Sequence, residues 1–272
     1  MFRFHNICDF LYKTYFNNYN MNMEKSIENK TALIIGGSGG LGKEIALTLA
    51  KENVNLIVQG RNLEKLKKLE SQFEEIQKTK SNQRKNTITL LHQNFTKNEN
   101  NITSLNFYVN SADILIVCYG PFLQKELHKT TFEDWESIVY WNYTFPGQLI
   151  SSALPSMMKK GFGRILVFGG TRTYSINGYR TNAAYGGAKT ALCSLVKSVA
   201  AEYGKYGITC NAILPGFMET EYLSESTKEI LAAKMPQGKL IAEKNVGEAA
   251  TFLLKNGSLN GVLLNVDEGW MP

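Results

Sequence analysis

Tyr185 and Lys189 stand four residues apart in the stretch AAYGGAK. On a helix, such positions share a face, with Cβ atoms about 5–6 Å apart. An ammonium beside a phenol favours the phenolate and draws the phenol pKa down from about 10. A phenol tuned in this way trades a proton at working pH. The same pair also suits the exposed side of an ordinary amphipathic helix, and residue type alone leaves both readings open.

A second stretch, IIGGSGGLGKEIA, spaces Gly36, Gly40 and Gly42 as GxxxGxG. The loop runs from Gly36 through Ser38, Gly39, Gly40 and Leu41 to Gly42. Glycine lets the backbone come close to a diphosphate. A helix start adds free N–H groups and a positive dipole end. A plain structural turn would use the same glycines. The surrounding apolar run, helical pattern and second apolar run favour a dinucleotide site. That second run ends in VQGRN. NAD sites usually place an acid there for the ribose hydroxyls. Here Arg61 takes its place, which suits the 2′-phosphate of NADP, so NADP(H) is the expected cofactor. The alternative is that Arg61 only opens the next helix in solvent.

The elements needed to hold these groups follow from periodicity. TALIIGG, VNLIVQG, ITLLHQN, ADILIVCYG, RILVFGG, ITCNAILPG and GVLLNVDEG are short apolar runs that read as strands. Between them, GKEIALTLAKEN and RNLEKLKKLESQFEEIQK have helical spacing, as do residues 131–160 and 183–203. This alternation predicts an α/β fold, a doubly wound parallel sheet of Rossmann type with helices on both faces. One domain is expected over 25–272, with residues 1–24 as an extension outside it.

Composition narrows the function classes. The chain has 272 residues, 43% of them hydrophobic, and a net charge of +6. The basic stretch between Arg61 and Lys85 is interrupted by glutamates, so a solvated helix face is expected there rather than nucleic-acid binding. Cys8, Cys118, Cys193 and Cys210 form no CxxC pair, and His5, His92 and His128 are isolated. No metal site is expected, and the cysteine usage implies a reducing, cytoplasmic setting. No apolar run is long enough to span a bilayer, so no membrane partner is expected. The aromatic N-terminus lacks a clear amphipathic face for surface attachment.

Taken together, the glycine loop, Tyr185, Lys189 and the later PG turn resemble the short-chain dehydrogenase/reductase family, from about Lys30 to Trp270. The pattern is most similar to its bacterial 3-oxoacyl-acyl-carrier-protein reductase-like members. The resemblance implies an NADP-dependent oxidoreductase acting on a small carbonyl or alcohol, and a homotetramer. It also implies that Tyr185 is the general acid or base, and that Lys189 lowers its pKa and holds the nicotinamide ribose. Asn142 in YWNYTFPG would hold a relay water through its main-chain carbonyl. Pro146, four residues on, has no N–H to bond that carbonyl, so a local kink is expected; a simple helix break would read the same way. Pro215, Gly216 and Thr220 would line the nicotinamide, Asn94 the adenine, and Gly120 the close approach to the cofactor. Residues 217–240 would form a substrate cover, with Phe217, Met218, Tyr222 and Leu223 as its apolar side.

Several departures from the family pattern matter. Ile35 replaces a threonine before the first loop glycine, VCYG replaces NNAG, and Gly170 stands where the catalytic serine is usual. Thr171 and Thr173 follow closely and could supply the missing hydroxyl, with Thr171 preferred because it adjoins the strand end. Both could equally do no more than satisfy loop backbone groups. The altered serine position leaves one alternative reading, a cofactor-binding pseudoenzyme or regulatory subunit.

Overall fold

The computed structural model describes residues 26–80, 85–97, 100–220 and 223–270. The extension expected over 1–24 and Tyr222 lie outside these residues. Seven strands form one parallel sheet: β1 (Thr31–Ile35), β2 (Asn55–Gly60), β3 (Ile88–His92), β4 (Ile114–Val117), β5 (Gly163–Phe168), β6 (Ile208–Pro215) and β7 (Leu263–Val266). Their order is β3-β2-β1-β4-β5-β6-β7. The order reverses between β1 and β4, and ligands of open α/β sheets sit at such a point, beyond the carboxyl ends of the strands.

The helices are α1 (Gly40–Lys51), α2 (Leu63–Thr79), α3 (Asn100–Ser111), α4 (Phe132–Val139), α5 (Phe145–Lys160), α6 (Ala183–Tyr203), α7 (Glu225–Ala232) and α8 (Glu243–Lys255). Both sheet faces are covered, which is why β1 and β4 read as unbroken apolar runs. Ala32, Ile34, Ile114 and Ile116 pack with α1, α2 and α8 through Ile45, Leu49, Leu66, Phe73 and Leu253. Leu33, Ile35, Leu115 and Val117 pack with α3, α5 and α6 through Leu105, Leu149 and Val196. Successive side chains of one strand thus feed opposite cores.

Local chemistry sets several helix ends. The Asn62 side chain accepts from Lys65 N at 2.9 Å and caps α2, a contact worth about 1 kcal/mol. Thr131 and Asp134 form a capping box at the start of α4. The helical stretch expected over 131–160 is two helices joined by a π-turn, Tyr140–Thr144. Pro146 sits in the first turn of α5, where its missing N–H costs least. Among the described residues, no helix is long and apolar enough to cross a membrane, and no group of three or more His, Cys, Asp or Glu is placed to hold a metal ion.

Candidate active site

The glycine loop joins β1 to α1 at the point where the strand order reverses. Gly36 and Gly40 take φ values of +81° and +52°, a region most side chains avoid. A Cβ on Gly42 would lie 2.3 Å from the Gly36 carbonyl oxygen, so only glycine lets α1 start this close to the loop. The amino end of α1 has no side-chain cap and no acid in its first turn. Its N–H groups therefore remain available to an anion. Leu41, the second residue of α1, packs against the core on that face.

The loop is braced by a residue that sequence reasoning passed over. Gln59, 3% exposed near the end of β2, accepts from Gly36 N at 3.0 Å and donates to the Gln93 carbonyl at 2.5 Å. With Ile35 in place of threonine, this carboxamide gives the loop a side-chain tie. The available signal was a glutamine inside an otherwise apolar strand, since a buried amide needs partners. Gln59→Leu is expected to lower stability by about 1–3 kcal/mol, the cost of leaving a buried donor unpaired. An unchanged thermal melt would show that the loop holds without it.

A cavity of about 360 Å³ opens over this loop, lined by Gly36, Ser38, Gly39, Gly60, Arg61, Asn94, Tyr119 and Gly120 among others. Its floor depends on Gly60, where a Cβ would lie 2.3 Å from that of Ser38. Arg61 is exposed at the rim, and its charge reaches the Tyr119 phenol. The fit to a dinucleotide rests on this glycine cradle and the uncapped α1.

Beyond Gly120 the candidate catalytic groups converge. A Cβ on Gly120 would lie 2.4 Å from Asn142 Oδ1 and 3.2 Å from Lys189 Nζ. Asn142 is fully buried, and its amide donates to the Pro121 and Ile138 carbonyls, each at 3.0 Å. Its Oδ1 has no partner. The Lys189 ammonium donates to the Phe168 carbonyl at 2.6 Å and stands 5.8 Å from the centre of the Tyr185 ring.

The expected depression of the Tyr185 pKa is corrected here. Burial pushes the phenol up to about 12 and the Lys189 ammonium down to about 8. The physical reason is direction: Nζ is turned to a strand carbonyl, and desolvation dominates both groups.

The loop after β5 shows what each threonine does. Thr173, 1% exposed, donates to the Gly170 carbonyl at 2.7 Å and accepts from Gly170 N at 3.0 Å, closing the turn. Thr171 is half-buried and donates to the Pro215 carbonyl at 3.2 Å. A Cβ on Gly170 would lie 3.2 Å from Tyr185 Cε1 and 3.5 Å from its hydroxyl. The position without a side chain is the one that faces the phenol.

Gly216 N donates to Val266 O at 3.0 Å, tying the PG turn to β7. Thr220 lies across the glycine loop, in a second cavity with Gly40, Lys43, Lys228 and Glu243. Part of the apolar side expected for the 217–240 cover is packed on the protein itself. Phe217 packs on Trp270 with centroids 4.3 Å apart and planes at 43°, and Met218 bridges to Ile241, so both lie partly buried against the core around α1 and α8.

The sequence and the fold match known proteins. The family model for short chain dehydrogenase matches residues 30–231. The 3-oxoacyl-[acyl-carrier-protein] reductase FabG of Rickettsia bellii is 30% identical over 250 residues, covering 90% of this chain and 98% of that protein. Carbonyl reductase family member 4 of Xenopus laevis is 29% identical over 245 residues, covering 89% and 98%. The solved structure of ElxO with NADP bound superposes with a TM-score of 0.75 at 26% identity, covering 89% of this chain and 98% of that one. The chain belongs to the short-chain dehydrogenase family.

Proposed function

We propose that this chain is an NADP(H)-dependent oxidoreductase acting on a carbonyl/alcohol pair of a small molecule, with Tyr185, Lys189 and Asn142 as its proton relay. The observation that carries the reading is the meeting of Asn142 Oδ1 and Lys189 Nζ at the bare Cα of Gly120, beside Tyr185 and next to the glycine cradle. When bound, the nicotinamide supplies the hydride chemistry. The protein's residues do the rest.

With its pKa near 12, the Tyr185 phenol rests protonated at neutral pH, the form that donates to a carbonyl oxygen. The Lys189 ammonium, 5.8 Å from the centre of that ring, is assigned to the nicotinamide ribose. Asn142 fixes the π-turn to the loop after Gly120, so the relay is held from two elements. Thr171 is the hydroxyl assigned to the carbonyl oxygen, because its own bond is longer and less buried than that of Thr173. The relatives support carbonyl chemistry by name, one for a 3-oxoacyl group and one for carbonyls.

NADP over NAD rests on Arg61 at the cavity rim and on the absence of an acid at the end of β2. Asn94 lines the adenine end, and Pro215, Gly216 and Thr220 are assigned to the nicotinamide end. Arg61→Ala is expected to weaken NADPH binding by about 10–100-fold, since a charged hydrogen bond contributes roughly 1.5–3 kcal/mol. NADH binding should hardly change. Equal losses for both cofactors, measured by titration, would show that Arg61 does not read the 2′-phosphate.

The protein is proposed to be a cytoplasmic homotetramer. Phe132 and Trp135 leave α4 with 71% and 39% exposure, an aromatic face suited to a second copy. Light scattering is expected to give the tetramer mass at micromolar concentration; a monomer would contradict it.

A further inference from the structure

The Tyr185 phenol stands in surroundings that proton transfer alone does not require. Its ring takes the Phe122 ring edge-on, with centroids 5.0 Å apart and planes at 79°. Phe122 is nonetheless 61% exposed, so most of that ring is open. Tyr185 and Leu123 both pack against a buried cluster of Ile138, Ala184 and Ala188. On the Cε1 and hydroxyl side stands Gly170, with bare backbone where a side chain would lie 3.2–3.5 Å away.

The two loops that carry Phe122 and Gly170 are stitched together, since Lys125 N donates to the Thr181 carbonyl. They present apolar groups outward: Tyr174 is 48% exposed and Ile176 96%. The cations nearest Phe122 and Gly170 in sequence are engaged elsewhere. Lys125 pairs with Asp134 at 2.5 Å, and the Arg172 guanidinium bonds Asn177 at 3.2 Å. Burial is the resolved cause of the raised Tyr185 pKa, and no neighbouring charge contributes.

We infer that the site selects carbonyl compounds carrying an uncharged aryl group next to the carbonyl carbon, with the exposed ring of Phe122 as the aromatic wall beside the phenol. This inference rests on the oxidoreductase reading above. An aryl substituent covers the open Phe122 ring and gains the edge or offset contact that aromatic pairs favour. A short alkyl group leaves that ring wet. A charged group makes no such ring contact.

The test compares acetophenone with 2-butanone as substrates with NADPH, and separately measures 1-phenylethanol binding to the cofactor-loaded protein by calorimetry. Wild type is expected to favour acetophenone in kcat/KM by about 10-fold or more, the scale of one apolar pocket contact. Phe122→Ala, an exposed position that should not impair folding, is expected to erase most of that preference and to weaken 1-phenylethanol binding. Equal use of the two ketones by wild type, or an unchanged ratio in Phe122→Ala, overturns the inference. If neither ketone is reduced, binding decides. Weaker 1-phenylethanol binding in Phe122→Ala supports the aryl site while the oxidoreductase reading fails, and undiminished binding overturns the aryl site as well.

Discussion

Tyr185→Phe is expected to lower kcat by about 10²–10⁴-fold, the range that a positioned acid or base contributes. NADPH affinity should stay close to wild type. The substitution removes one oxygen and keeps the ring, so the edge-on contact with Phe122 and the packing on Ala184 and Ala188 survive. Lys189 keeps its bond to the Phe168 carbonyl, because that contact does not involve the phenol. The structure therefore predicts a chemical defect without a folding or binding defect. Steady-state kinetics together with cofactor titration separate these, and near-normal turnover would remove Tyr185 from the catalytic role.

The second large effect concerns the missing serine. A developing alkoxide needs a donor beside it, and losing one typically costs about 10²–10³ in rate. If Thr171 supplies that donor, Thr171→Val should cost up to this much in kcat with little change in NADPH affinity. Gly170→Ser in the same background should then restore turnover of a small ketone, because a Cβ at residue 170 lies 3.5 Å from the Tyr185 hydroxyl. The tightest contact it makes, 3.2 Å to Cε1, needs only a small shift of the ring. Rescue would show that the chemistry lacks a hydroxyl at this spot. Full activity in Thr171→Val would instead show that Tyr185 acts without a hydroxyl from this loop.

Much of this arrangement was legible in the sequence, for physical reasons. Strands buried on both faces must be apolar throughout, so β1, β4, β5 and β6 stood out. Gly36 and Gly42 were legible because a close approach and a positive φ leave few alternatives to glycine. The helix α3, with the sequence NNITSLNFYVNS, was harder to see because its asparagines and serines are weak helix formers and packing decides its state. The direction of the Tyr185 pKa could not be read from i, i+4 spacing. That spacing gives the shared face but not where Nζ points, and the Phe168 carbonyl on a distant strand claims it. Phe217 and Met218 looked like a cover because they follow the PG turn. Their partners, Trp270 and Ile241, come from later in the chain and hold them partly buried against the core. The side of Gly170 that faces the phenol was likewise invisible until the loop after β5 was seen folded against α6.

The most direct test of the central claim follows the hydride itself. NADPH carrying deuterium at the transferable nicotinamide position is mixed with the protein and acetophenone, and the alcohol product is examined by mass spectrometry. The structure predicts one deuterium on the carbinol carbon with wild type and a product signal reduced to a trace with Tyr185→Phe. Tight NADPH binding with no deuterium transferred to acetophenone or to any member of a broad ketone and aldehyde panel would contradict the account.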